Sequence, residues 1–265
     1  MHETTFMPRD IFHPINTGPL AGVDLLFWKK DPLAEVPYTL KGFPAALEEL
    51  MITAMRHVEE KSCIRFIKYN GSYDIRQLII QANEQGCNVS INIRSEGSST
   101  NYEIGSYDCS TFAQMLHSLM HLLSFEDEHQ RQDRDKYIDT HPRNIQNGYK
   151  MKFKKVKTRY EVSTPYDYDS IMHPPANKYS KNGNPTITAN GDVNRKFGES
   201  ERLSKYDIVK LNRRYSCGES RLGCKDKLKN CRKLSFEERY CETGKDEDIK
   251  LNCVKTCGMC LFLNE

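Results

Sequence analysis

No run of about 18 apolar residues occurs anywhere in the 265-residue chain, which excludes a predicted membrane-spanning helix. The first twenty residues also lack the apolar stretch of an export signal, because Arg9, Asp10 and several prolines and polar residues interrupt it. Excess charge of one sign is small: 39 Lys and Arg against 36 Asp and Glu leave a formal +3. That is too little to demand a nucleic-acid partner. Internal repeats and long low-complexity tracts are missing too.

Cysteine, by contrast, is abundant. Ten residues, an even number, point to an oxidising compartment, since cytosolic thiols stay reduced. Cys63, Cys87, Cys109 and Cys217 lie far apart, whereas Cys224, Cys231, Cys241, Cys253, Cys257 and Cys260 crowd the C-terminal end. So dense a cluster predicts a small module held together by its disulfides. The chain is therefore expected to be secreted, with its export signal removed or outside this sequence. Asn70-Gly-Ser72 and Asn88-Val-Ser90 match the glycosylation acceptor pattern and fit that expectation.

Leu47, Leu50, Met51, Ala54, Met55 and Val58 recur at helical spacing behind Pro44, a residue tolerated in a first turn. Ile64–Tyr69, Arg76–Ile80 and Val89–Ile93 are short, β-branched or alternating, and bounded by Gly, Asn and Asp, as strands are. Phe112, Met115, Leu116, Leu119, Met120 and Leu123 predict the core face of a second helix. Beyond Asp127 the chain reads as polar and irregular until a short helix at 206–215. The class predicted is α+β. Gly218–Gly223 reads as a linker into the cysteine-rich tail.

The second helix carries the chemistry. His117 and His121 stand at i, i+4, which places both rings on one face, as zinc requires. A working zinc protease of the His-Glu-x-x-His-x-x-Gly-x-x-His type adds a Glu to deprotonate water, a Gly for a sharp turn and a third His. Here those positions hold Ser118, Ser124 and Asp127. A Ser hydroxyl cannot take a proton from water and pass it on near neutral pH, and that assistance is typically worth about 10²–10⁴-fold. His-His-Asp remains a sound zinc set. If position 124 needs a left-handed backbone, a non-Gly residue there costs roughly 1–2 kcal/mol.

Taken together, residues 20–217 resemble the astacin family of zinc metalloproteases. The resemblance rests on Pro37-Tyr-Thr39, Glu60–Phe66, Glu128-His129 through Asp135, Tyr166–His173, and Leu203-Ser204 with Asp207, Ile208, Asn212, Tyr215 and Cys217. It implies a zincin-like fold of two subdomains, zinc as cofactor, a Met-turn with Met172 beneath the metal, and disulfides Cys63–Cys217 and Cys87–Cys109. It also implies that Glu128 occupies the position that pairs with the mature N-terminus. The family's tyrosine ligand after the Met-turn is replaced by Pro174, which neither ligates nor donates a proton. His129 and His173 are expected to hydrogen-bond structurally. Residues 1–19 form an N-terminal extension in which Asp10 loosely resembles the zinc-capping Asp of an astacin propeptide.

Residues 224–260 resemble an ShKT module, on Cys224-Lys-Asp226, Cys231, Cys241 and Cys253–Cys260. The resemblance implies pairs Cys224–Cys260, Cys231–Cys253 and Cys241–Cys257, out of fifteen pairings that six cysteines allow. The channel-plugging Lys-Tyr pair of the sea-anemone potassium-channel toxin for which the module is named would fall near Lys245, which Asp246 follows here, so a toxin role is disfavoured. Lys150, Lys152, Lys154, Lys155, Lys157 and Arg159 read as a solvated strand face, with binding of a polyanion such as a glycosaminoglycan as the alternative. The sequence thus predicts an extracellular pseudoprotease that binds a protein or peptide partner. The enzyme alternative keeps zinc on His117, His121 and Asp127 and recruits another base, Glu126.

Overall fold

Strand β1 (Ala34–Lys41) turns into helix α1 (Ala45–Lys61) through Gly42, whose φ of 70° is a left-handed value that glycine adopts without strain. Pro44 stands at the N-cap of α1 with φ −58°, the value its ring imposes. Met51, Ala54, Met55 and Val58 form the buried face of α1, and Leu47 and Leu50 pack at its edge. The structure, a computed structural model, describes residues 34–71, 78–83, 89–92, 100–105, 111–156, 164–215, 217, 226–231, 252–253 and 256.

Strands β2 (Ile64–Lys68), β3 (Leu78–Asn83), β4 (Val89–Asn92) and β5 (Thr100–Gly105) complete a sheet of order β2-β1-β3-β5-β4. Its pairings are parallel except for β4 with β5, which run antiparallel. The register places Val36 opposite Phe66 and Tyr38 opposite Leu78. Helix α2 (Phe112–Leu122) opens on a capping box: the Gln114 amide donates to Thr111 Oγ1, and the Thr111 amide donates to Gln114 Oε1. Reciprocal capping of this kind satisfies two of the donors that a helix start leaves orphaned. Met115, Leu116, Leu119, Met120 and Leu122 are fully buried against α1 and the sheet.

The stretch after Asp127 is polar and largely irregular, with 3-10 turns and a two-stranded ribbon among the described residues, yet it builds a core of its own. Ile138, Ile145, Phe153, Tyr166, Ile187, Ala189 and Phe197 form a second buried cluster around the ribbon of β6 (Ile138–Thr140) and β7 (Ile187–Ala189). Its apolar residues are spread too thinly along the chain to show a period. The two clusters meet the two-subdomain expectation. Helix α3 (Lys205–Arg214) starts on a second capping box, Ser204 with Asp207, and returns Leu211 and Tyr215 to the first core. There Cys63 and Cys217 are joined across 154 residues with Cα atoms 5.2 Å apart. Asn212 Nδ2 donates to the Lys61 carbonyl beside them.

In the tail, Cys231 and Cys253 are joined, and Asp226 accepts hydrogen bonds from the Thr256 amide and hydroxyl. The remaining tail cysteines, Cys87, Cys109, Asn88, Asp10, Lys157, Arg159 and the 218–223 linker lie outside the described residues. Asn70 is exposed at the end of β2. The first residues of the basic segment, Lys150–Phe153, form a 3-10 turn rather than a strand. Phe153 is driven inward, leaving Lys150, Lys152 and Lys154 exposed, while Lys155 pairs with Asp135.

Candidate metal centre

Both histidines of α2 are fixed by their far nitrogens. His117 Nδ1 lies 2.8 Å from the Ile171 carbonyl, and His121 Nδ1 lies 2.8 Å from the Phe125 carbonyl. A carbonyl only accepts, so each ring carries its proton on Nδ1 and turns an Nε2 lone pair to the cleft. Burial, then the neighbouring His117, pushes His121 down to about 4, which keeps that ring neutral and able to ligate.

Asp127 is brought to the same point by a break in the chain. Helix α2 ends at Leu122, and Ser124 takes φ 65°, the left-handed conformation for which glycine is suited. This reverses the backbone so that Asp127 Oδ1 comes to 3.5 Å from both His117 Nε2 and His121 Nε2. The three donor atoms lie within 4.8 Å of one another. Two lone pairs and a carboxylate oxygen facing each other repel unless a cation lies among them, and the donor set suits zinc. Side-chain exposures of 31%, 25% and 21% leave the cluster open to solvent.

Behind the cluster, the Met-turn holds it in place. The Ile171 carbonyl orients His117, the Met172 carbonyl accepts from the Glu128 amide, and Met172 itself is buried in the first core. Asp207 anchors this turn from α3, accepting from Ser170 Oγ at 2.6 Å and the Ile171 amide at 2.8 Å. His173 is structural: its Nε2 accepts from the Tyr166 hydroxyl and its Nδ1 donates to the Pro174 carbonyl. Pro174 is buried beneath Gly198, where an added Cβ would stand 2.5 Å from the Pro174 carbonyl carbon and 2.2 Å from Pro175 N. No side-chain donor is offered from that position.

The carboxylate that follows Asp127 is committed elsewhere. Glu128 is 2% exposed. Its Oε1 accepts from Arg131 Nη1 and the Asp167 amide, and its Oε2 accepts from Lys210 Nζ. Burial works to raise the Glu128 pKa, but Lys210 and Arg131 hold it below the ordinary carboxylate value. Ser118, in the position of the missing acid, is buried at 1%, and Glu126 is half-buried. Lys210 was not singled out in the sequence, although a lysine one turn after Asp207 and beside Leu211 is a signal: a buried ammonium needs a carboxylate.

His129 departs from its expected role at one atom. Its Nε2 meets the Lys152 carbonyl at 2.9 Å as a structural histidine would, but its Nδ1 is buried without a hydrogen-bond partner. That atom stands 4.0 Å from Asp127 Oδ2.

A sheet with one antiparallel edge strand, a helix bearing paired histidines, and a buried Met-turn below them define a zinc-protease fold. Among known proteins, a model of the Astacin peptidase family matches residues 26–216. Zinc metalloproteinase nas-7 of Caenorhabditis elegans is 34% identical over 193 residues, 70% of this chain and 48% of that protein. Seminal metalloprotease 1 of Drosophila melanogaster is 30% identical over 213 residues, 77% of this chain and 84% of that protein. The solved structure of High choriolytic enzyme 1, a hatching enzyme zinc-protease from Oryzias latipes, has a TM-score of 0.64 at 29% identity. It covers 74% of this chain and 96% of its own. This chain belongs to the astacin family. It spans 48% and 37% of the length of two of its nematode relatives, nas-7 and nas-14.

Proposed function

We propose that this protein is a metal-binding astacin homologue that does not hydrolyse peptides and acts by binding. The observation that carries this is the pair of residues nearest the expected acid: Ser118 fills its position, and Glu128 is sequestered by Lys210 and Arg131. Zinc, held by His117, His121 and Asp127, would supply Lewis acidity. With a serine rather than a base at position 118 to take a proton from water, and with Pro174 in place of a tyrosine donor, cleavage would fall towards background. The cluster is open to solvent, which suits an extended peptide segment of an extracellular protein, bound as by a decoy or regulator.

Secretion and the ShKT assignment of 224–260 belong to the same reading, supported by the two described disulfides. Exposed Asn70 suits glycosylation, and exposed Lys150, Lys152 and Lys154 suit a polyanion. The test is casein or gelatin turnover by the purified, oxidised chain loaded with zinc. No chelator-sensitive cleavage is expected. Robust chelator-sensitive cleavage that falls on Glu126→Gln would overturn the reading in favour of an active enzyme with a relocated base.

A further inference from the structure

We propose that His129 is a fourth ligand of the metal centre, its Nδ1 completing a set of three imidazoles and one carboxylate with His117, His121 and Asp127. The proposal rests on the metal reading above and deepens it. His129 is 2% exposed, and Phe153 meets its ring edge-on at 5.3 Å, so the ring is enclosed. Its proton is spoken for: Nε2 faces the Lys152 carbonyl, a pure acceptor, leaving Nδ1 as a bare lone pair. Asp127 Oδ2 stands 4.0 Å from that nitrogen, and no donor meets it. An ionised carboxylate is also only an acceptor. Two acceptors facing each other, one of them on a buried ring, call for something electropositive between them.

Asp127 thus addresses both sets of rings. Its Oδ1 faces the two helix imidazoles and its Oδ2 faces His129. The tight trio is His117, His121 and Asp127; His129 Nδ1 stands outside it and would join it by a rotation of the Asp127 carboxylate that brings both to the same ion. A third imidazole is in this way regained two positions along the chain from where the astacin pattern has it. Four protein ligands leave zinc no open position, the property of structural rather than catalytic sites. The centre then becomes a staple between α2 and the segment that leads to the second core, and it binds tightly without turnover.

The experiment is ¹⁵N NMR of the full oxidised chain labelled at histidine, before and after one equivalent of zinc, with X-ray absorption at the zinc edge. His129 Nδ1 is expected to move from a free lone-pair shift to a metal-bound one together with His117 and His121 Nε2, and the absorption spectrum to count three imidazoles. His129→Gln is expected to weaken zinc by about 10-fold or more in competition with a chromophoric chelator, in line with losses at metal-supporting histidines. Zinc that shifts only the His117 and His121 nitrogens, with two imidazoles counted, overturns the His129 assignment and leaves the three-residue site standing. Zinc that shifts no histidine overturns both. If the substituted chain fails to fold, the spectra of the unaltered protein still decide.

Discussion

Seen from the cleft, the junction of α2 with the Met-turn carries Ser118, Asp127 and Pro174 where the astacin pattern has an acid, a third histidine and a tyrosine. Seen from the interior, the same junction holds Glu128, Arg131, Asp133, Asp167, Asp207 and Lys210 in paired contacts. Arg131 alone reaches both Glu128 and Asp133 and also donates to the carbonyls of Thr164 and Pro165. The contrast follows from where each side chain stands. A position that holds no buried ion pair, as at Ser118 and Pro174, can be exchanged at little structural cost, whereas removing one partner of a buried ion pair strands the other in low dielectric. Chemistry and scaffold are therefore separable here, and substitutions on the two sides should have unlike consequences.

The interior side should break hardest. Glu128→Gln leaves Lys210 and Arg131 facing a neutral amide, and it is expected to cost about 3–5 kcal/mol of unfolding free energy. Urea unfolding of the oxidised protein measures it. A loss below about 1 kcal/mol would mean that the network is solvated after all, and the contrast between the two sides would collapse.

Much of this division was legible beforehand, for physical reasons. α1 and α2 bury a wide apolar stripe at helical spacing, so Met51 through Val58 and Met115 through Leu123 announce both helices. The pair His117 and His121 was visible because helical geometry ties i to i+4. What stayed hidden depends on contacts distant in sequence. Lys210 meets Glu128 across 82 residues, and no local pattern encodes that. β5 (Thr100–Gly105) alternates weakly and takes its place from β3 and β4 on either side. The second core gathers isolated residues such as Ile145, Phe153 and Phe197. The unpartnered Nδ1 of His129 is equally silent in the sequence, since a lone histidine looks the same whether both of its nitrogens are satisfied or only one.

A smaller effect distinguishes the members of the interior network. Asp167 accepts from Ser204 Oγ and the Asp169 amide, with Glu128, Asp207 and Lys210 around it. Burial pushes its carboxyl up to about 6, above the ordinary value near 4. A raised carboxyl disfavours the folded state once ionised. Its penalty is therefore absent below about pH 4, grows as pH rises to 6, and is constant above, reaching about 2–3 kcal/mol. Glu128, held low, contributes stability that is lost only as pH falls into the acid range. Asp167→Asn should remove the penalty, so the difference in stability between variant and parent widens from pH 4 to pH 6.5. Parallel urea curves at those two pH values would show that Asp167 is not perturbed in the fold.

The smallest effect lies on the boundary between the two sides. Ser124 carries φ 65° with its Oγ buried and unpaired, and its turn is what aims Asp127 at His117 and His121. Glycine relieves the left-handed strain of about 1–2 kcal/mol and the unsatisfied hydroxyl, but it adds chain entropy to the unfolded state worth roughly 0.5–1 kcal/mol. Ser124→Gly should therefore stabilise by about 1 kcal/mol, raising the urea midpoint with an unchanged slope, and should leave zinc affinity within a few-fold of the parent. Stabilisation with intact metal binding would place the strain in the scaffold's account, as a tolerated loss of the family's glycine. A gain in stability coupled to a large loss of zinc affinity would mean instead that the serine side chain helps to set the turn, so that strain at position 124 belongs to the metal centre.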